Sequence, residues 1–155
     1  MKQFYLTSLL LISSFSAFAN ESLTRYFFNA AKIGETVVLS EYLNNGFPVD
    51  QRNQQSYTAL MMATYYGHKK AVEVLLDHGA NACLKDKRGH TAMMAAIVKA
   101  EWGLAKRLYK EECTQAHSTG KTLEQFAAIF GQSDRLKTLI NQQRYKVDKI
   151  KIDNQ

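Results

Sequence analysis

Residues 58–80, TALMMATYYGHKKAVEVLLDHGA, contain two short helical patterns separated by Gly67. Thr58 stands where its hydroxyl can cap the first helix, and apolar residues recur at helical spacing in both patterns. Parts of the stretch return at a fixed distance, because Thr91 follows Thr58 by 33 residues and Gly67 follows Gly34 by 33 residues. A period near 33 with helical patterning inside each unit is typical of a stacked repeat array.

The repeat continues on both sides of this stretch. Towards the carboxyl end the period shortens, because Thr122 follows Thr91 by 31 residues. Each unit has the pattern of a helix, a tight turn, a second helix and a loop. The spacing predicts four units, at about residues 23–52, 53–85, 86–116 and 117–142.

The second unit resembles the ankyrin repeat. Its segments TALMMA (58–63), GH (67–68), AVEVLL (71–76) and HGAN (78–81) are similar to the opening T-P-L-H-x-A, the G-H turn, the V-x-x-L-L helix and the G-A ending of that family. The resemblance covers about residues 23–142. It implies an all-α ankyrin-repeat solenoid of about four stacked helix–turn–helix repeats with projecting hairpin loops.

The sequence departs from the family pattern at a few positions. Ala100 stands where the glycine between the two helices is expected, and Met61, Met94 and Gln125 replace the signature histidine. The methionines are interpreted as adaptable core residues between stacked helices. A copper-binding methionine cluster is the alternative, but no His or Cys lies at matching spacing.

The first nineteen residues have the layout of a cleaved secretory signal. Lys2 precedes an apolar run at 4–12, and Ala17-Phe18-Ala19 forms a small-x-small site. This pattern predicts cleavage after Ala19 and export to a Gram-negative periplasm. The alternative is an apolar helix that caps the first repeat. The repeat domain then spans 20–142, and the basic tail at 143–155 is interpreted as a solvated extension, either extended along the last helix pair or disordered.

Charge restricts the class of partner. The chain has 20 Lys and Arg residues and 14 Asp and Glu residues; without residues 1–19 its net charge is +5. We interpret this charge as spread along the chain. It favours an acidic protein or an anionic membrane surface, and export argues against nucleic acid. We expect a monomer.

Cys83 and Cys113 are the two cysteines of the chain, and each follows the second helix of a repeat. In an oxidising compartment such a pair favours a structural disulfide over two free thiols. A bridge requires the two Cα atoms to approach within about 7 Å, for which the loop of one repeat must lean towards the other.

Motifs for catalysis are missing from the sequence. There is no HExxH, nucleophile elbow, phosphate-binding loop or Gly-rich nucleotide turn, and the four histidines fall at unrelated repeat positions. The sequence therefore predicts a protein that is not an enzyme and that needs no cofactor and no metal.

Binding to another protein is the function that the resemblance implies, through loop tips and the exposed ends of the first helices. At the helix ends, Tyr65 and Tyr66 are the strongest candidates, and Ile33 precedes them by one repeat. The further candidates are Tyr57, Lys87, Arg88, Val98, Lys99, Ile129 and Phe130. Aromatic anchors with a basic rim are typical of binding hot spots. The alternative is that some of these rings, Ile129 and Phe130 above all, pack between repeats.

The resemblance also implies two biological settings. Small exported ankyrin proteins of this kind look like those encoded beside periplasmic catalases, which are implicated in resistance to peroxide. They are also similar to exported immunity proteins that neutralise a toxic effector delivered into the periplasm. A scaffold with several weak partners is the third alternative.

Overall fold

The structure is a computed structural model that describes residues 21–109 and 122–153. These residues form helices, turns and loops and contain no strand, which confirms the predicted all-α class. The helices are α1 (21–33), α2 (Thr36–Asn44), α3 (Ala59–Tyr65), α4 (Lys69–Asp77), α5 (Ala92–Val98), α6 (Trp102–Leu108), α7 (Leu123–Ile129) and α8 (Ser133–Asp153). They form helix pairs with the predicted repeat spacing. The predicted signal at 1–19 and Cys113 lie outside the described residues.

The chain divides after Ala80 into two compact units. In the first unit, α4 packs against both α2 and α3. Its largest fully buried side chains include Phe27, Leu39, Leu60 and Leu75, each at most 1% exposed. These residues come from all four helices of the unit, so burial of a shared apolar core holds the two repeats together.

The second unit begins at Asn81. Here α5 packs against α6 and α7, and α7 packs against α8. Ile97, Leu108 and Leu136 are at most 1% exposed. Met93 and Met94 are also buried, at 4% and 5% exposure, so they fill the core as the sequence predicts.

A threonine begins the first helix of each repeat from the second onward. The hydroxyl oxygens of Thr58 and Thr91 accept hydrogen bonds from the backbone N–H groups three residues later, both at 3.3 Å. Thr122 does the same at 3.2 Å, and its own N–H donates to Gln125 Oε1 at 2.9 Å. Gln125, which replaces the signature histidine, therefore completes a capping box.

In each of two hairpin loops, one side chain accepts two backbone N–H groups of the loop. These side chains lie at equivalent repeat positions. Asn53 Oδ1 accepts the N–H groups of Gln55 and Tyr57 at 3.0 and 2.9 Å. Asp86 Oδ1 accepts those of Arg88 and His90, both at 2.8 Å. Such local bonds give the loop backbone the partners that no helix supplies.

The turn of the third repeat contains Ala100 in the left-handed conformation, with φ of 56°, where the second repeat has Gly67 at 77°. This conformation costs an L-residue about 1–2 kcal/mol, and glycine about none. We expect Ala100→Gly to raise the free energy of unfolding by up to about 1 kcal/mol, after the greater flexibility of unfolded glycine is subtracted. Urea unfolding of this variant and of the reverse change Gly67→Ala, which should destabilise, checks the prediction.

Helix α8 corrects the interpretation of the carboxyl-terminal tail. The sequence predicts an extended or disordered segment at residues 143–155, but α8 continues without a break to Asp153. The stretch Ser133–Asp153 contains neither Gly nor Pro and is rich in Lys, Gln, Leu and Arg, which favour helix. Gln143 also donates a hydrogen bond from Nε2 to the carbonyl oxygen of Lys106 at 3.1 Å. The irregular alternation of apolar and charged residues after residue 143 therefore belongs to a helix, and the prediction of an extended chain is wrong.

Candidate protein-binding surface

The ends of α1 and α3 are joined by a hydrogen bond between the first two repeats. His68 follows the turn after α3, and its Nε2 lies 2.9 Å from the backbone carbonyl oxygen of Lys32 in the last turn of α1. The histidine therefore sets the two helix ends side by side. Lys32 and Ile33 lie on one end, and Tyr65 and Tyr66 on the other.

The side chains at these ends form an exposed apolar surface. Tyr65 and Tyr66 are 45% and 44% exposed, and their rings meet edge to face with centroids 5.3 Å apart. Lys32 Nζ lies 5.6 Å from the centroid of the Tyr66 ring. Ile33 is 53% exposed. The prediction that both tyrosines are exposed is confirmed.

Tyr26 extends this surface along α1. It is 59% exposed, and the Arg25 guanidinium carbon lies 5.8 Å from the centroid of its ring. Since Tyr26 precedes Ile33 by seven residues, two helical turns, the two side chains lie on one face of α1. We call the set of Arg25, Tyr26, Lys32, Ile33, Tyr65 and Tyr66 the α1–α3 patch.

Tyr26 and Arg25 were missed in the sequence. The sequence predicts one apolar face made of Tyr26, Phe27, Ala30 and Ala31, whereas the last three are buried and Tyr26 is not. Its distance of seven residues from Ile33, a predicted exposed position, is the signal that could have identified it.

Both cations of the patch lie against tyrosine rings. Neither Arg25 nor Lys32 forms an ion pair with any residue that the structure describes. Charges of this kind, exposed and without an opposite charge, are available to a ligand. The patch therefore combines four exposed apolar side chains with two positive charges.

The other candidate in the first unit is Tyr57, in the loop before α3. It is half-buried, and both its backbone groups bond to Asn53: its N–H to Oδ1 at 2.9 Å, and its carbonyl oxygen to the N–H at 3.0 Å. These bonds fix the loop position that the sequence predicts. Whether a partner contacts Tyr57 stays a prediction.

The remaining candidates belong to the second unit. Lys99 and Ile129 are exposed, Val98 is half-buried, and Lys87 and Arg88 are exposed at the loop tip. Phe130 is 44% exposed, but its ring also packs on the buried Phe126, with centroids 5.0 Å apart. This contact lies within one repeat, and Ile129 is 57% exposed. Packing of these side chains between repeats, the alternative for them, stays untested by this contact. Their role in binding stays a prediction.

The positive charge is not evenly spread, contrary to the interpretation from the sequence. Residues 21–80 carry 5 Lys and Arg residues against 6 Asp and Glu residues, whereas residues 81–155 carry 14 against 8. Two of the five cations in the first stretch, Arg25 and Lys32, belong to the α1–α3 patch.

The described histidines have structural roles. Besides the bond from His68, His78 Nδ1 lies 2.8 Å from the Val74 carbonyl oxygen, and its Nε2 lies 3.2 Å from Asn44 Oδ1. His90 Nδ1 lies 3.4 Å from Asp86 Oδ2. In the part of the chain that the structure describes, no group of three or more His, Cys, Asp or Glu residues could hold a metal ion. In the same part, no helix has the length and apolarity needed to cross a membrane.

Known proteins share the repeat pattern. A family model described as Ankyrin repeats (3 copies) matches residues 27–110, more than half of the chain. Protein HOS4 of Saccharomyces cerevisiae is 41% identical over 73 residues, which is 46% of this chain and 7% of that protein. The inactive serine/threonine-protein kinase TEX14 of Mus musculus is 36% identical over 92 residues, 59% of this chain and 6% of that protein.

A third similar protein is the human Ankyrin repeat, SAM and basic leucine zipper domain-containing protein 1. It is 41% identical over 63 residues, 40% of this chain and 13% of that protein. The chain thus spans a small part of the curated relatives that it matches. What it shares with them is the repeat.

Proposed function

Because the chain belongs to the ankyrin repeat family, we propose that it is a non-catalytic module that binds another protein, and that the α1–α3 patch contacts this partner. The observation that carries the proposal is the group of four large apolar side chains, 44–59% exposed, of which three lie at two adjacent helix ends and Tyr26 lies two turns back along α1. Ankyrin repeats support protein binding at the level of the family.

The composition of the α1–α3 patch supports this choice. Tyrosine and arginine are enriched in binding hot spots, because a large amphipathic side chain buries much area with few rotatable bonds. The exposed rings are not needed for the core of the first unit, because Phe27, Leu39 and Leu75 are already completely buried there. Exposed apolar groups that cluster, in contrast to scattered ones, mark interaction sites.

We expect Tyr65→Ala/Tyr66→Ala to weaken binding of the partner by about 2 kcal/mol or more, roughly 30-fold in Kd, if these rings are anchors. The partner is first captured by crosslinking from the protein's own periplasm and purified, and its Kd is then measured by calorimetry. Tyr145→Ala is the matched control, since Tyr145 is a 73% exposed tyrosine on α8. Unchanged affinity of the double variant, with its helical content intact, would move the site away from the α1–α3 patch.

We further propose that the protein acts in the periplasm after cleavage at Ala19. The three-zone pattern of residues 1–19 supports this. Mass spectrometry of the protein from the periplasmic fraction should give an amino terminus at Asn20. Uncleaved protein in the cytosolic fraction would contradict export.

The setting that we propose is protection against oxidative stress alongside a periplasmic catalase. A deletion strain should then lose tolerance to peroxide, and the catalase should be among the captured partners. The alternative is an immunity protein for a periplasm-delivered toxin, for which the deletion strain should be killed by sister cells that carry the toxin. Survival in that competition would argue against immunity.

For the cysteines, we propose a structural disulfide between Cys83 and Cys113, supported by the proposed export and by the position of each cysteine after the second helix of its repeat. Thiol titration of the unfolded, unreduced protein should find close to no free thiol. Two free thiols per chain would refute the bridge.

A further inference from the structure

We infer that the partner of the α1–α3 patch presents a short segment in which two carboxylates flank an apolar side chain. This rests on the proposed function, because it specifies the chemistry of the partner at the same surface. The inference comes from the two cations of the patch, Arg25 and Lys32, and from the exposed tyrosine ring beside each of them.

Each cation is held against a ring. Lys32 Nζ lies 5.6 Å from the Tyr66 centroid, and the Arg25 guanidinium carbon lies 5.8 Å from the Tyr26 centroid. A ring face stabilises a cation but accepts none of its hydrogen bonds in the way that a carboxylate does. Because neither cation has an ion-pair partner among the described residues, both retain donors for a ligand.

A partner that covers the apolar side chains must also cover the cations. An uncharged partner would remove water from two positive charges without replacing it, which opposes binding. A basic partner would add repulsion. A carboxylate opposite each cation removes both costs and adds charge-assisted hydrogen bonds. An acidic segment is therefore the complement of this surface.

The positions of the cations also give a spacing. Arg25 and Lys32 are seven residues apart on α1, and with a rise of 1.5 Å per residue their backbones are separated by about 10 Å along the helix. An extended chain covers this distance in about three residues. The exposed apolar side chain between the two cations is Tyr26, whereas Ile33 and Tyr66 lie at the Lys32 end. The expected motif in an extended partner thus has two Asp or Glu residues separated by two residues, at least one of them apolar to meet Tyr26.

A nucleic acid also offers anions, but the surroundings disfavour it. Residues 21–80 contain one more acidic than basic residue, so the two cations lie in a unit with no excess of positive charge. A polyanion needs many neighbouring cations along its length. A segment with two carboxylates needs only the two that are present. The positive balance of residues 81–155 adds a long-range attraction for an acidic protein.

A phage-displayed library of random dodecapeptides, selected on the full chain without its signal, tests this inference. Wild-type protein should enrich peptides with two acidic residues at the i, i+3 spacing around an apolar residue. Arg25→Glu/Lys32→Glu should bind these peptides roughly tenfold more weakly and should enrich peptides with Lys or Arg instead. Lys149→Glu/Lys151→Glu, which makes the same change in net charge on α8, should retain the acidic preference.

The outcomes separate the partner chemistry from the proposed site. Peptides that lose affinity in Tyr65→Ala/Tyr66→Ala but have no acidic excess would overturn the inference and leave the proposed function standing. The inference is also overturned if a labelled twelve-residue oligothymidylate binds as tightly as the peptides and depends on Arg25 and Lys32. Lack of any peptide that depends on the two tyrosines would overturn both proposals.

Discussion

Gly34→Ala should lower the free energy of unfolding by about 2–4 kcal/mol, more than a typical surface change. Gly34 has φ of +82°, and a Cβ built on it would lie 2.6 Å from His68 Nδ1 and 2.8 Å from His68 Cγ. The left-handed conformation alone costs about 1–2 kcal/mol for alanine. The overlap adds the cost of overpacking, about 1–3 kcal/mol, because the imidazole must move and its bond to Lys32 is strained or lost.

Gly46→Ala is the matched control for this prediction. Gly46 has nearly the same φ, +84°, but a Cβ there would meet no atom within 4 Å. The loss of stability in Gly46→Ala should therefore be limited to the cost of the left-handed conformation. Urea unfolding of both variants gives the difference directly. Equal losses in the free energy of unfolding would mean that the close approach of His68 to Gly34 does not affect the stability of the alanine variant.

A double variant isolates the contact. In His68→Ala the imidazole is absent, so adding Gly34→Ala to it should cost only about as much as Gly46→Ala. The same variants report on the α1–α3 patch, since His68 joins the helix ends that carry Lys32 and Tyr66. Affinity for the partner should fall in Gly34→Ala even under conditions where the chain is fully folded.

The close approach of His68 to Gly34 could not be predicted from the sequence. The repeat period identified Gly34 and Gly67 as equivalent turns, and both have positive φ. It could not show that His68 of the next repeat lies against Gly34, because that contact is created by stacking. The resemblance identifies His68 as part of the G-H turn of the repeat, but it does not predict the hydrogen bond from His68 to Lys32.

Local chemistry was the most predictable part of the fold. Thr58 caps α3 as expected, because an Ncap hydroxyl and its N–H partner are only three residues apart. The helical continuation of α8 was missed for the opposite reason. Its residues Tyr145, Val147 and Ile150 are 49–73% exposed, so no amphipathic pattern marks this part of the helix.

Part of the candidate surface was also predictable from the sequence. Tyr65 and Tyr66 were identified because they stand at helix-end positions that the repeat leaves free, and their exposure agrees. Arg25 and Tyr26 were not, because Tyr26 was assigned to the same apolar face as Phe27, although its seven-residue distance from Ile33 indicates an exposed position. The pairing of each cation with a ring depends on side-chain geometry, which no sequence period encodes.

Phe27→Ala should destabilise the first repeat by about 3–5 kcal/mol, the usual cost of removing a fully buried phenylalanine. Phe27 is 0% exposed, and its ring centroid lies 4.5 Å from that of Phe47, 5.8 Å from Tyr42 and 6.0 Å from Phe28. Truncation removes the central ring of this cluster, and the surrounding rings cannot collapse into the space without moving α1 or the loop after α2.

The neighbouring residue is the control for Phe27. Tyr26→Ala removes a ring of similar size that is 59% exposed, so its effect on stability should be within about 0.5 kcal/mol. The two variants should also differ in their affinity for the partner. Tyr26→Ala should weaken the partner's affinity only through its own contact, whereas Phe27→Ala should release α1 and with it Arg25, Tyr26, Lys32 and Ile33.

The loss in Phe27→Ala should also be local, because each repeat is stabilised mainly by its neighbours. Hydrogen exchange should speed up most in α1 and α2, and much less in α5 to α8. Global unfolding at a single lower midpoint, with exchange raised equally in every helix, would show instead that the repeats unfold as one cooperative block. In that case α1 could not be released separately, and the binding defect of Phe27→Ala would report only the fraction of folded protein.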